Sequence, residues 1–237
     1  MTTHPILFVP GLMCDHRLWQ PQVECFECER TVAVADVSRD ASIEAMASRA
    51  LTAVAGDFIL AGLSMGGIIA FEMVRQAPER IKGLALLDTN AMAESDARKK
   101  ERTRQIAEAR KGQLSRIVIE ELKPNYLAPA HRQDRQLKEK ILAMAQDQGI
   151  AVFEQQSRAL MGRRESVETL SKIQCPTEVL CGQEDELCPV EYHQMMASHI
   201  PGAHLTVLPD CGHMSSLEAP IVVNKMLKDL IKRVEGE

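Results

Sequence analysis

Ser64 lies in Gly62-Leu63-Ser64-Met65-Gly66-Gly67, directly after the apolar run Phe58-Ile59-Leu60-Ala61 and ahead of an apolar helical stretch from Ile68 to Val74. A serine on a tight turn between strand and helix is placed to act as a nucleophile. Glycines two residues to either side suit such a turn, because side chains there would collide with the neighbouring strand and helix. Gly-x-Ser-x-Gly recurs by chance, and it is the strand before, the helix after and the extra Gly67 that single this copy out. A hydroxyl is a weak nucleophile at neutral pH, so Ser64 requires a histidine base, a carboxylate to orient it, and donors for the oxyanion that forms.

The last strand-like run, His204 to Leu208, leads into Pro209-Asp210-Cys211-Gly212-His213. His213 is thereby set on a loop beyond a carboxyl strand end, where catalytic groups gather in open parallel sheets, and Gly212 permits the turn that aims it. One strand earlier, Thr177 to Cys181 leads into Gly182-Gln183-Glu184-Asp185, which makes Asp185 the expected acid. Asp88, at the end of the run Gly83 to Leu87, competes for that role. His4, His131, His193, His199 and His204 are expected to be structural or solvated, and His16, after Cys14-Asp15, to start a helix.

The elements that must position these residues follow from the apolar runs. Strands are expected at Ile6 to Val9, Thr31 to Ala35, Phe58 to Ala61, Gly83 to Leu87, Thr177 to Leu180 and His204 to Leu208. Helices are expected at Ser42 to Val54, Met65 to Gln76, Glu191 to His199 and Ile221 to Val234. Continuous apolar strands alternating with helices predict an α/β protein, a doubly wound, mostly parallel sheet covered on both faces. The alternation breaks between Asp88 and Thr177, where helical periodicity runs from Glu94 to Arg110, Leu114 to Leu122, His131 to Gln148 and Val152 to Met161, punctuated by Gly112, Pro124, Pro129 and Gly149. An all-helical insertion, residues 91–166, is therefore expected inside a core made of 1–90 and 167–237.

The bulk properties exclude several classes. With 237 residues the chain can bury one sizeable core. Only 3% aromatic residues and a net charge of −5 argue against a nucleic-acid surface. No run is long enough to span a bilayer, and the strand that begins at Ile6 leaves no room for a leader, so a cytoplasmic protein is expected. Seven scattered cysteines fit reduced thiols, and Cys25-x-x-Cys28, lacking a second ligand pair, is a weak metal or redox signal. Cys14, Cys188 and Cys211 fall near the proposed site and read as packing residues. The insertion carries 16 Lys or Arg against 11 Asp or Glu, whereas the rest holds 12 against 22. A run such as Arg98-Lys99-Lys100-Glu101-Arg102 fits a solvated face, or a surface that draws an anionic substrate to the pocket mouth.

Taken with Phe8-Val9-Pro10-Gly11-Leu12, Gly182-x-x-Asp185-x-x-x-Pro189 and Gly212-His213, the Ser64 motif closely resembles the α/β-hydrolase superfamily. The overall pattern is most similar to small capped carboxylesterases of the pimeloyl-carrier-protein methyl ester esterase and enol-lactone hydrolase types. The resemblance implies a trimmed sheet of about six strands and a helical cap over the site. It implies that Leu12 and Met65 donate backbone N–H groups to the oxyanion; Pro10 replaces the histidine many members carry there and should stiffen the loop. A serine hydrolase of small or medium carboxylic esters, thioesters or lactones is expected, without metal or organic cofactor. Its partner would be a small acyl substrate, anionic or carrier-linked given the basic cap, with Arg158, Arg163 and Arg164 as candidate carboxylate contacts. Cofactor-free peroxidation or carbon–carbon hydrolysis on the same triad, or a ligand receptor that hydrolyses very slowly, remain alternatives.

Overall fold

The computed structural model describes residues 3–122 and 126–236, so the expected break at Pro124 lies outside the described residues. Six strands, β1 (Ile6–Val9), β2 (Val32–Val34), β3 (Phe58–Leu63), β4 (Ile81–Leu87), β5 (Thr177–Gly182) and β6 (His204–Leu208), form one sheet in the order β2-β1-β3-β4-β5-β6. Every neighbouring pair is parallel. The central strands are buried on both faces, which is why they read as unbroken apolar runs.

Alternate side chains feed two cores. Leu7, Val9, Leu60, Leu84, Leu86 and Val179 pack with α2 (Ile43–Ala50), α3 (Met65–Gln76) and α8 (Val190–His199). Ile6, Phe8, Ile59, Ala61, Leu87 and Leu180 pack with α1 (Gln20–Phe26) and α10 (Pro220–Glu235). Ser42 caps α2 by accepting from Ala45 N–H, and Asp15 caps a short 3-10 turn at His16–Trp19 by accepting from Arg17 N–H. Trp19 stacks on Phe8 at 4.6 Å between ring centroids and so anchors the loop after β1 from below.

Between β4 and β5 the chain leaves the sheet as helices α4 (Asp96–Glu108), α5 (Leu114–Arg116) and α6 (Arg135–Gly162). The chain kinks ahead of α5 at Gly112, where φ is +84°, and a wide π-helical turn, Ile117–Leu122, follows it. The helices expected at His131 to Gln148 and Val152 to Met161 are the two arms of α6, parted at Gly149, where φ is +74°, ψ is −179° and the backbone is not helical. Ile106, Leu114, Ile117, Val118 and Phe153 give the insertion a small core of its own, closed against Met13 of the main body. Its two ends meet where Ser166 N–H bonds Ala91 O at 2.7 Å. α7 (Val167–Leu170) and α9 (Ser215–Glu218) are short helices, and among the described residues no helix is long and apolar enough to cross a membrane.

Candidate active site

β3 runs two residues further than its apolar run suggested, through Gly62 and Leu63, so the turn is concentrated on Ser64. Ser64 sits at φ +57°, ψ −117°, a conformation an L-residue adopts only when its surroundings enforce it. Its N–H bonds Leu87 O at 3.0 Å, and its carbonyl accepts from Gly67 N–H, Ile68 N–H and the Thr89 hydroxyl. A Cβ at Gly62 would lie 2.7 Å from Gly67 N, and one at Gly66 2.7 Å from the Val9 carbonyl carbon. The collisions expected from sequence are therefore with the opening of α3 and the end of β1.

The His213 ring joins two of the expected residues. Its Nε2 lies 2.8 Å from Ser64 Oγ and its Nδ1 2.8 Å from Asp185 Oδ2. Asp185 in turn accepts Leu187 N–H and Cys188 N–H through Oδ1, both at 2.9 Å. Burial opposes an imidazolium at position 213, but the Asp185 carboxylate and its hydrogen bond outweigh it and hold the His213 pKa above the ordinary histidine value. Burial likewise opposes charge on Asp185, and the imidazole together with the two backbone donors holds its pKa below the usual carboxylate range. The loops bearing the two residues are cross-linked, with Glu184 N–H on Cys211 O and Cys211 N–H on the Glu184 carboxylate. A side chain at Gly182 would strike the carbonyls of Cys211 and Gly212, so this close approach requires the glycine.

Asp88 is fully buried beside them and makes no hydrogen bond to His213. It accepts Gly182 N–H at 3.3 Å and Ser215 N–H at 3.0 Å, tying together the roots of the acid and histidine loops. Burial, with the nearby Asp185 charge, pushes its pKa up to about 7.

Leu12 and Met65 border the same cavity as Ser64 and His213, a space of about 690 Å³. Neither backbone N–H meets an acceptor among the described residues; at Met65 this follows from its place in the first turn of α3. The next residue, Met13, has φ +57° and gives its N–H to Gln156 Oε1 at 2.8 Å. Gln156 is fully buried on α6 and donates to Val37 O at 3.2 Å, so the insertion clamps the loop that presents Leu12. Gln156→Leu leaves the Met13 N–H unpaired, a cost of about 1–3 kcal/mol, and is expected to lower kcat/KM about tenfold. Gln156→Glu, which keeps the acceptor, should recover part of that loss. Steady-state kinetics beside thermal melts checks this, and an unaltered kcat/KM in Gln156→Leu removes the clamp from the account.

Sequence inspection also missed Glu218, a fully buried carboxylate on α9. Its Oε1 accepts Gly212 N–H and Met214 N–H, on either side of His213, while Oε2 takes Ala128 N–H and faces His131 Nδ1 at 3.0 Å. His213 N–H itself bonds Tyr126 O. The histidine loop is thus held from the insertion as well as from the core. No local pattern announces Glu218, because its partners are brought together only by the fold.

Of the arginines expected to contact a substrate, Arg163 borders the cavity and Arg158 does not. Arg158 pairs with Glu154 on an exposed face of α6, and Arg164 pairs with Glu72 outside the site. His193, expected to be structural or solvated, is structural and buried: its Nε2 accepts Thr89 N–H, Nδ1 faces Pro189 O, and burial brings its pKa down to about 4. All seven cysteines are free, with Cys28 exposed and Cys25 half-buried, and burial pushes the Cys14 thiol up to about 12. Asp185, Cys188 and His213 bring ligand-type atoms within 4.8 Å of one another. The imidazole Nδ1 is already engaged by Asp185 and burial raises the Cys188 thiol, so the donor set suits proton transfer rather than a metal.

A parallel sheet with a strained serine after β3, an acid loop after β5, a histidine loop after β6 and a helical insertion before β5 describes one class of protein. The chain belongs to the alpha/beta hydrolase fold family, which residues 54–220 match. Among solved structures it is similar to a thermophilic esterase from Thermogutta terrifontis, determined with malate bound, with 30% identity, coverage of 98% of this chain and 91% of that one, and a TM-score of 0.89. It also shares its fold with the enol-lactonase from Burkholderia xenovorans LB400, at 18% identity, 98% and 92% coverage and a TM-score of 0.87. RutD of Azorhizobium caulinodans, provisionally named a carbamate hydrolase, is 25% identical over 94% of this chain and 89% of its own length.

Proposed function

We propose that the protein is a serine hydrolase that cleaves a small or medium carboxylic ester, thioester or lactone through an acyl-enzyme. The observation that carries this reading is the hydrogen-bonded chain from Ser64 Oγ through His213 to Asp185, with both links at 2.8 Å. His213 Nε2 takes the Ser64 proton as Oγ attacks the carbonyl carbon. The developing oxyanion accepts from Leu12 N–H and Met65 N–H, each such donor being worth about 3–4 kcal/mol in the transition state. The imidazolium, oriented and stabilised by Asp185, protonates the departing alcohol or thiol, and a water activated by the same imidazole then releases the acid. Asp88 acts as a strut for the two loops rather than as the triad acid, and residues 91–166 act as a cap on a core of 1–90 and 167–237.

The esterase and enol-lactonase activities named for the similar structures support ester or lactone chemistry. Malate bound to the esterase, together with the basic insertion, supports an anionic small-molecule substrate or a carrier-linked one. Hydrolysis of p-nitrophenyl acetate, butyrate and octanoate should show a burst of p-nitrophenolate equal to the enzyme present, followed by slower turnover. Absence of turnover on these esters and on thioester and lactone substrates would overturn the proposal.

A further inference from the structure

The charges around the Ser64 cavity fall into two groups. On its outer side Arg104 contacts Glu101, Glu108 and Glu121, while Glu186 pairs with Arg132, so each charge has a partner near water. Deeper in, two buried guanidiniums face one buried carboxylate, which the exposed Arg98 also approaches. Glu94 lies 2.7 Å from Arg102, 3.1 Å from Arg163 and 3.8 Å from Arg98. The side chains of Arg102 and Arg163 are 10% and 7% exposed, and that of Glu94 is 3% exposed.

Two buried cations on one buried anion leave a positive charge uncompensated, an arrangement that is costly unless a further anion joins it. The hydrogen bonds leave room for one. Arg102 donates to Glu94 through Nε, and Arg163 donates to Met92 O through Nε and to Glu94 through Nη1. The two Nη groups of Arg102 and Nη2 of Arg163 meet no acceptor among the described residues, and both side chains border the cavity that holds Ser64 and His213. Burial, and the like charge of Arg102, lower the Arg163 pKa against the pull of Glu94. The helical period of α4 explains the selection: Arg102 is turned inward while Lys100, two residues before it, is exposed, and Arg98, one turn before Arg102, reaches Glu94 from the exposed side. Ile68 and Leu160 on the same cavity wall suit a chain of methylenes.

Resting on the serine-hydrolase reading, we infer that Arg102 and Arg163 form a carboxylate subsite and that the substrate is an ester or lactone bearing a second, ionised carboxylate. A planar guanidinium fork matches a carboxylate's two oxygens, and a monoanion balances the single uncompensated charge.

The test compares monomethyl adipate with dimethyl adipate, in which the second carboxylate is masked, and the matching suberate pair. Wild type should prefer a half-ester by about tenfold or more in kcat/KM, and Arg102→Gln and Arg163→Gln should each bring that ratio near unity. Glu94→Gln keeps an acceptor but removes the competing charge, so it should raise the ratio. This variant decides the matter if the arginine variants fail to fold. No preference in wild type, a ratio that survives in both arginine variants, or a ratio unchanged or lowered in Glu94→Gln overturns the subsite. Calorimetric binding of the same pairs to Ser64→Ala separates this inference from the one it rests on. Tighter binding of the half-ester supports the subsite even if no ester is turned over, whereas equal binding rejects it and leaves hydrolysis of neutral esters standing.

Discussion

Ser64→Ala is expected to lower kcat for p-nitrophenyl butyrate by roughly 10⁴- to 10⁶-fold while leaving the fold intact. In the proposed mechanism Oγ forms the acyl bond and His213 serves it, so His213→Ala should fall as far and the double variant little further. The loss corresponds to about 5–8 kcal/mol of transition-state stabilisation. Alanine fits the turn sterically, and the bonds that hold the strained backbone are Ser64 N–H to Leu87 O and the three donors on the Ser64 carbonyl, none of which involves the hydroxyl. Matching melting curves beside abolished turnover are therefore the expected pair. A variant that retains even a hundredth of the wild-type rate would point to a different nucleophile.

Asp185→Asn should cost about 10⁴-fold in kcat, because the amide can present its N–H to His213 and favour the wrong tautomer. It should also move the pH profile. The base works only when neutral, so kcat/KM rises with pH through the His213 pKa. Asp185 raises that pKa, which places the wild-type limb above about 6.5, the ordinary histidine value. Without that anion, burial is opposed only by the Asp88 and Glu218 charges, and the limb shifts to lower pH. Asp88 titrates in the same range, pushed up to about 7, so the measured limb belongs to the coupled cluster. Asp88→Asn serves as the contrast: it disturbs a strut between Gly182 and Ser215 and should cost about tenfold, chiefly through stability. The opposite ranking of the two variants would transfer the acid's role to Asp88.

The sheet was legible because its central strands are buried on both faces, so that β1 begins and ends as its apolar run does, and the half-exposed edge strand β6 also keeps its expected bounds. β3 and β5 were read short because their last residues, Gly62 to Leu63 and Cys181 to Gly182, resemble turn chemistry while still pairing in the ladder. In the insertion, the breaks expected at Gly112 and Gly149 fall where the backbone leaves helical geometry, at φ +84° and +74°, a conformation glycine takes at little cost. Ser64, His213 and Asp185 announce themselves through motifs with local glycines. Gln156, Glu218 and the ends of Asp88 do not, since each acts on backbone groups brought near only by folding. The same limit separates Arg158 from Arg102: both sit in basic helical stretches, and tertiary packing turns Arg102 into the cavity and leaves Arg158 on Glu154.

The most direct measurement is the reaction of the wild-type protein with a fluorophosphonate, with the modified residue located by mass spectrometry and Ser64→Ala treated in parallel. One label per chain is expected on Ser64, with loss of esterase activity in step with labelling and no label at the site in the variant. An enzyme that stays unlabelled at Ser64 yet hydrolyses esters, or one whose activity is lost through labelling elsewhere, would contradict it.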